Sequence, residues 1–158
     1  MWRILKNSLR RLRLLIYRRR IAHALALNRR GDARSDGLRP HAIRTRIEIE
    51  WRARDIHPWD RDSPPQEKAQ LFVAQSLADT ETVISELFEK LPQIDVIDLI
   101  VRHPVSDAPI MAGAVPRAAV TSEQRRSESI RMRLSELGVR YRLTDTHFEA
   151  ITSDWSPG

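Results

Sequence analysis

The sequence predicts an α+β domain of ferredoxin-like type, a split βαβ arrangement (β-α-β-β-α-β) with two helices on one face of an antiparallel sheet. Three observations predict it. Apolar and charged residues alternate with a period of two from Ile43 to Arg52, a helical apolar face runs from Val73 to Leu91, and strand, strand, helix and strand signals then follow between Ile94 and Leu143. One domain of ordinary size suffices for these elements. The order places the domain at 41–152, after a basic amphipathic helical arm at 1–30 and a linker at 31–40, with a disordered tail at 153–158.

The arm is set apart by charge. Ten of the 27 Lys and Arg precede Asp32, the first acid, so the remainder carries 17 basic against 21 acidic residues, a balance of −4 inside a chain of net charge +6. The high pI therefore belongs to the first segment. Trp2, Leu5, Leu9, Leu12 and Ile16 recur at spacings of three and four and would form a narrow apolar stripe on a helix. Arg3, Lys6, Arg10, Arg11, Arg13, Arg18, Arg19 and Arg20 make this a cationic helix and are the candidate partner- or anion-binding residues. Three ligands suit it: an anionic membrane surface, nucleic-acid phosphates and a partner's groove. Trp2 and the leucines favour a groove or interface, because phosphate contact gains nothing from an apolar stripe. The competing reading packs that stripe on the protein's own body. Gly31, Asp32, Ser35, Asp36, Gly37 and Pro40 supply turn chemistry for the linker.

Within the domain, Ile43, Thr45, Ile47, Ile49 and Trp51 alternate with Arg44, Arg46, Glu48, Glu50 and Arg52, as in a strand with one wet face. Ser63-Pro64-Pro65-Gln66 reads as a capping box opening a helix that continues to Leu91, with Asp79-Thr80-Glu81-Thr82 marking a break. The β-branched run Ile94 to Val101 reads as a strand, and Ile110 to Val115 as its hairpin partner. Asp95 and Asp98 are costly in such a strand unless they sit at its ends or beside an arginine. Thr121 or Ser122 caps a second helix buried through Ile130, Leu134 and Leu137, and Gly138 ends it as the C′ residue. Val139, Tyr141 and Leu143 alternate with Arg140 and Arg142, and Phe148 to Ile151 adds a short return strand. In the split order Arg140 and Arg142 lie beside Glu48 and Glu50 and neutralise them across strands. The sequence shows no internal repeat. A nuclease core of the restriction-endonuclease kind is the alternative fold, but the 94–115 hairpin lacks a carboxylate followed by Glu-x-Lys.

Composition closes several routes. With no cysteine there is no disulfide, thiolate-metal or cysteine-nucleophile chemistry. The longest charge-free run, Ala69 to Ala78, is half the ~20 residues that a transmembrane helix needs. Arg13 and Arg18 cut short the apolar run that a secretory signal requires, which leaves a cytoplasmic chain or one with an organellar presequence in its Arg-rich, acid-free beginning. No phosphate loop, nucleophile elbow or dinucleotide fingerprint is present. Stacking of RNA bases on the sheet is poorly served, since the 110–115 strand has no aromatic residue.

The one loop dense in chemical groups is Asp55-Ile56-His57-Pro58-Trp59-Asp60-Arg61-Asp62. Asp55, His57, Asp60 and Asp62 offer oxygen and imidazole ligands of the kind that Mg, Mn or Zn accept, with His103 and Asp107 as further contributors. Their spacing matches no ligand signature, and Asp, Pro and Trp in such a connection also serve as caps, turns and anchors. Two expectations result. The leading one is a non-enzymatic interaction or adaptor domain without a cofactor, self-associating through its sheet, whose cationic arm docks on a protein partner, nucleic acid or a membrane surface. The alternative is a small metal-dependent hydrolase or nuclease built on the 55–62 loop.

Overall fold

A computed structural model describes residues 41–43, 45–121 and 129–151. The arm at 1–30 with its eight candidate residues, the linker at 31–40, and the tail at 153–158 lie outside the described residues, as do positions 122–128 of the expected second helix.

Six strands and three helices make up the described α+β chain. Strand β1 (His41–Ile43) pairs antiparallel with β2 (Arg46–Arg52), the Ile43↔Arg46 register turning what reads as one strand over 43–52 into a hairpin. Helix α1 (Pro65–Lys90) then carries the chain over to β3 (Val96–Arg102). Seven residue pairs, from Arg46↔Val96 to Arg52↔Arg102, hold β2 and β3 parallel and adjacent. Strand β4 (Pro109–Pro116) returns antiparallel to β3. Helix α2 (Arg117–Thr121) and helix α3 (Ile130–Glu136) lead to β5 (Val139–Thr144), antiparallel to β4, and β6 (His147–Glu149) folds back on β5.

The strands thus lie in sequence order, β1 to β6, in a mixed sheet. This corrects the split order, which would insert β4 between β2 and β3. Both arrangements have the same order of elements along the chain; they differ in whether the crossover through α1 skips a strand position. Cross-strand charge pairs accompany the direct return: Arg46 binds Asp98 through two nitrogens and Arg102 binds Glu50. Arg140 and Arg142 on β5, with β3 and β4 between them and β2, are correspondingly not the partners of Glu48 and Glu50.

The core lies between the sheet and α1 with α3. Ile47, Ile49 and Trp51 of β2, Ile97, Leu99 and Val101 of β3, and Met111 and Val115 of β4 are buried with Val73, Leu77, Ile84 and Leu87 of α1 and Leu134 of α3. Burial of such side chains stabilises by roughly 1.5–3 kcal/mol each, the main favourable contribution to folding. The other sheet face carries the intervening residues, Arg46, Glu48, Glu50 and Arg52 on β2 and Arg140 and Arg142 on β5.

Helix boundaries follow local chemistry. Ser63 does not cap α1: the N-cap is Pro64, with no side-chain bond, and Pro65 at N1 removes one of the donors that such a cap would serve. No break occurs at Asp79–Thr82, because the Thr80 and Thr82 hydroxyls donate to the carbonyls of Ser76 and Ala78 four residues back and so remain within the helical ladder. The expected helix from Thr121 or Ser122 is replaced, where described, by the short α2 and by α3 with its own cap, the Ser129 hydroxyl accepting from Met132 N at 3.4 Å. Gly138 follows as expected in the left-handed region, φ 88°, its N–H donating to Ser135 O.

Candidate functional site

Parallel strands joined by a helix place their loops at one end of the sheet, and in open α/β sheets that carboxyl end is where ligands bind. Here it is formed by the segments leaving Arg52 of β2 and Arg102 of β3, which neighbour each other across the ladder. The two are tied at their base: Ala53 N donates to Arg102 O at 2.8 Å, Arg52 Nε to Asp107 Oδ1 at 2.9 Å, and an Arg102 nitrogen to Asp107 O at 2.9 Å. His103 and Asp107 therefore do belong to the same end of the molecule as the 55–62 loop.

Helix α1 positions the first loop. Gln75 donates to the carbonyls of Arg54 and Asp55 at 3.1 and 3.2 Å, and Arg54 grips Asp79 through two nitrogens at 2.6 and 3.1 Å. Burial raises the Asp79 carboxyl above its ordinary value, and the Arg54 guanidinium works against that shift. Past this anchor, Asp55 accepts from Ile56 N at 2.9 Å, and His57 caps a single 3-10 turn, Pro58–Asp60, its Nδ1 accepting from Trp59 N at 3.3 Å. The rings of His57 and Trp59 stack 6.0 Å apart, yet Trp59 is 85% exposed.

The second loop repeats the device. His103 Nδ1 accepts from both Val105 N and Ser106 N at 3.2 Å, while the main chain closes through His103 N to Ala108 O at 2.8 Å. Asp107 takes a left-handed conformation, φ 60°, which lets its carbonyl and carboxylate reach Arg102 and Arg52. The His103 ring rests edge-on against Phe72 of α1 at 5.2 Å, and Val105 is 81% exposed. Each imidazole needs a lone pair on Nδ1 to hold its loop, which puts any ring hydrogen of the neutral form on Nε2.

The residues with metal-binding chemistry are thus on one loop but do not converge. Among the described residues no three His, Asp or Glu side chains come together in a group able to hold a metal ion. Asp55 and His57 are engaged with their own backbone, whereas Asp60 and Asp62 add negative charge around Trp59. A cleft of about 720 Å³ at the opposite end of the sheet is bordered by Ala114, Ser135, Gly138, Val139, Arg140 and Tyr141, and holds neither carboxylate nor imidazole.

What reading by element missed is a pair of short words. His57-Pro58-Trp59-Asp60 and His103-Pro104-Val105-Ser106 each follow a parallel strand and each expose an apolar side chain two residues after the capping histidine. The repeated His-Pro was the available signal, too short to stand out as a repeat until the two strands proved to be neighbours. No family model, curated protein or solved structure matches the chain.

Proposed function

We propose that the chain is a non-enzymatic interaction or adaptor module of the cytoplasm, in which an α+β domain carries a cationic amphipathic helix at 1–30 that docks on a protein partner or an anionic surface. The observation that carries this reading is the division of charge: ten basic residues and no acid precede Asp32, and the remainder is net negative. It gains support from the carboxyl-end loops, where the imidazoles of His57 and His103 are committed to backbone N–H groups. A histidine used in this way positions a loop.

The test is a salt titration of binding to labelled duplex DNA, to RNA and to anionic vesicles. It compares the full chain with one in which Arg3, Lys6, Arg10, Arg11, Arg13, Arg18, Arg19 and Arg20 are glutamine. A phosphate-binding arm gives log affinity falling linearly with log salt, with a slope of about −0.9 per duplex phosphate contacted, and the substituted chain loses it. A partner groove gives weak salt dependence and is lost on replacing Leu5, Leu9 and Leu12. Unchanged binding in both substituted chains overturns the proposal. Stoichiometric divalent metal in the purified protein, lost in His57→Ala, would establish instead the metal-dependent hydrolase or nuclease built on Asp55, His57, Asp60 and Asp62.

A further inference from the structure

Three of the four large hydrophobic side chains left exposed among the described residues, Trp59, Val105 and Leu71, belong to the carboxyl-end loops or to the helix turn packed on them. Leu71 neighbours Phe72, which touches the His103 ring. Exposure of one such side chain is ordinary, but two of them more than 80% exposed, on loops that leave the same end of the sheet, offer apolar contact to a partner. Tryptophan in particular contributes heavily where it anchors an interface.

The charge around them selects the occupant. Asp55, Asp60, Asp62 and Glu67 stand against Arg61 and Lys68, once Arg54 is committed to Asp79, and none of the four carboxylates is in an ion pair among the described residues. Exposed apolar side chains at an end of the sheet whose 55–67 stretch is net acidic suit a helix with a leucine stripe and arginine flanks. The exposed sheet face is a poorer match, because Arg46, Arg52, Arg102, Arg140 and Arg142 outnumber Glu48, Glu50 and Asp98 there.

Strand β1 brings such a helix within reach. It runs antiparallel to β2 with His41 opposite Glu48, so the N-terminal end of β1 points toward the Arg52 end. From the level of Glu48 to that of Arg52 is four residues, roughly 13 Å of strand. The ten residues 31–40 can span up to ~33 Å.

We propose that residues 1–30 dock in cis on the carboxyl end of β2 and β3, their apolar stripe against Trp59 and Val105 and their arginines among Asp55, Asp60, Asp62 and Glu67. This rests on reading 1–30 as a cationic amphipathic helix, but not on what that helix binds elsewhere. Docking here hides the stripe and part of the charge, so an external ligand of the arm competes with the protein's own body.

The experiment uses the full chain, whose lack of cysteine allows one spin label at Ser8→Cys. In the labelled, isotopically enriched protein, the amide signals of His57, Trp59 to Asp62, His103, Val105 and Ser106 lose intensity relative to the reduced label. Asp60→Lys with Asp62→Lys, both at the loop surface, restores those signals while the core signals of β3 and β4 stay in place. Three results would overturn the proposal: no loss at these loops, loss confined to the sheet face at Ile100, Ala112 and Arg140, or loss seen equally when labelled and enriched copies are mixed. Failure of the salt titration would leave this readout untouched, and the reverse also holds.

Discussion

Arg117 shows how much one side chain can organise. Its guanidinium donates to Ile94 O at 2.8 Å, Phe88 O at 3.0 Å and Leu91 O at 2.6 Å, and lies 4.7 Å from the centre of the Phe88 ring. It thereby satisfies carbonyls at the end of α1 that no helical N–H reaches, and sets positive charge at the negative end of the helix dipole. Arg117→Ala should cost about 2–3 kcal/mol, read from the urea midpoint, and Arg117→Lys should recover little because an ammonium cannot serve three carbonyls in a fork. Asp98 is a second such point, 2% exposed and paired with Arg46 at 36% exposure. Removing Arg46 leaves a buried carboxylate without its counterion, so Arg46→Ala should lower the urea midpoint, by less than for a fully enclosed pair because solvent reaches the arginine. The sequence called for either a strand end or a neighbouring arginine at Asp98, and β2 supplies the arginine. It offered no comparable sign for Arg117, whose acceptors lie 23 to 29 residues back along the chain.

At the scale of elements, α1 connects the core to the loops. Its buried side holds the sheet while Gln75 and Asp79 fix the first residues after β2. Because burial raises the Asp79 carboxyl, the folded state holds that proton more tightly than the unfolded chain. The stability this group contributes is therefore fully present below the ordinary carboxylate range near pH 4 and is lost as pH rises through its elevated value. Denaturant unfolding across that range should show a falling contribution that Asp79→Asn abolishes. The cap of α3 is separable, and Ser129→Ala should cost about 1 kcal/mol. Apolar periodicity made α1, β3 and β5 readable in advance. It could not reveal the reversal between β1 and β2, since a two-residue turn preserves an alternation of two, nor the continuity of α1 through Asp79–Thr82, where hydroxyls that favour turns in isolation bond back along the helix.

For the molecule as a whole, the strand order depends on which neighbours each strand finds, and that information is spread across the chain. The parallel contact of β2 with β3 makes a direct prediction. Glu50→Arg and Arg102→Glu should each cost about 0.5–1 kcal/mol as partly exposed charges, and the double exchange should restore the midpoint. Strands separated by β4 would instead give additive losses. The same neighbourhood made His57 and His103 intelligible, for the two histidine loops gain a joint meaning only when their strands adjoin.

The terminal strands of the sheet, β1 and β6, are three residues each. An exposed margin of that length offers an incoming strand few backbone groups, too few to nucleate ribbon growth from copy to copy. The long central strand, β3, is paired with β2 on one side and β4 on the other from Val96 to Arg102. Among the described residues, these short margins favour contacts through side chains, where charge and shape can discriminate, over main-chain extension, where they scarcely can.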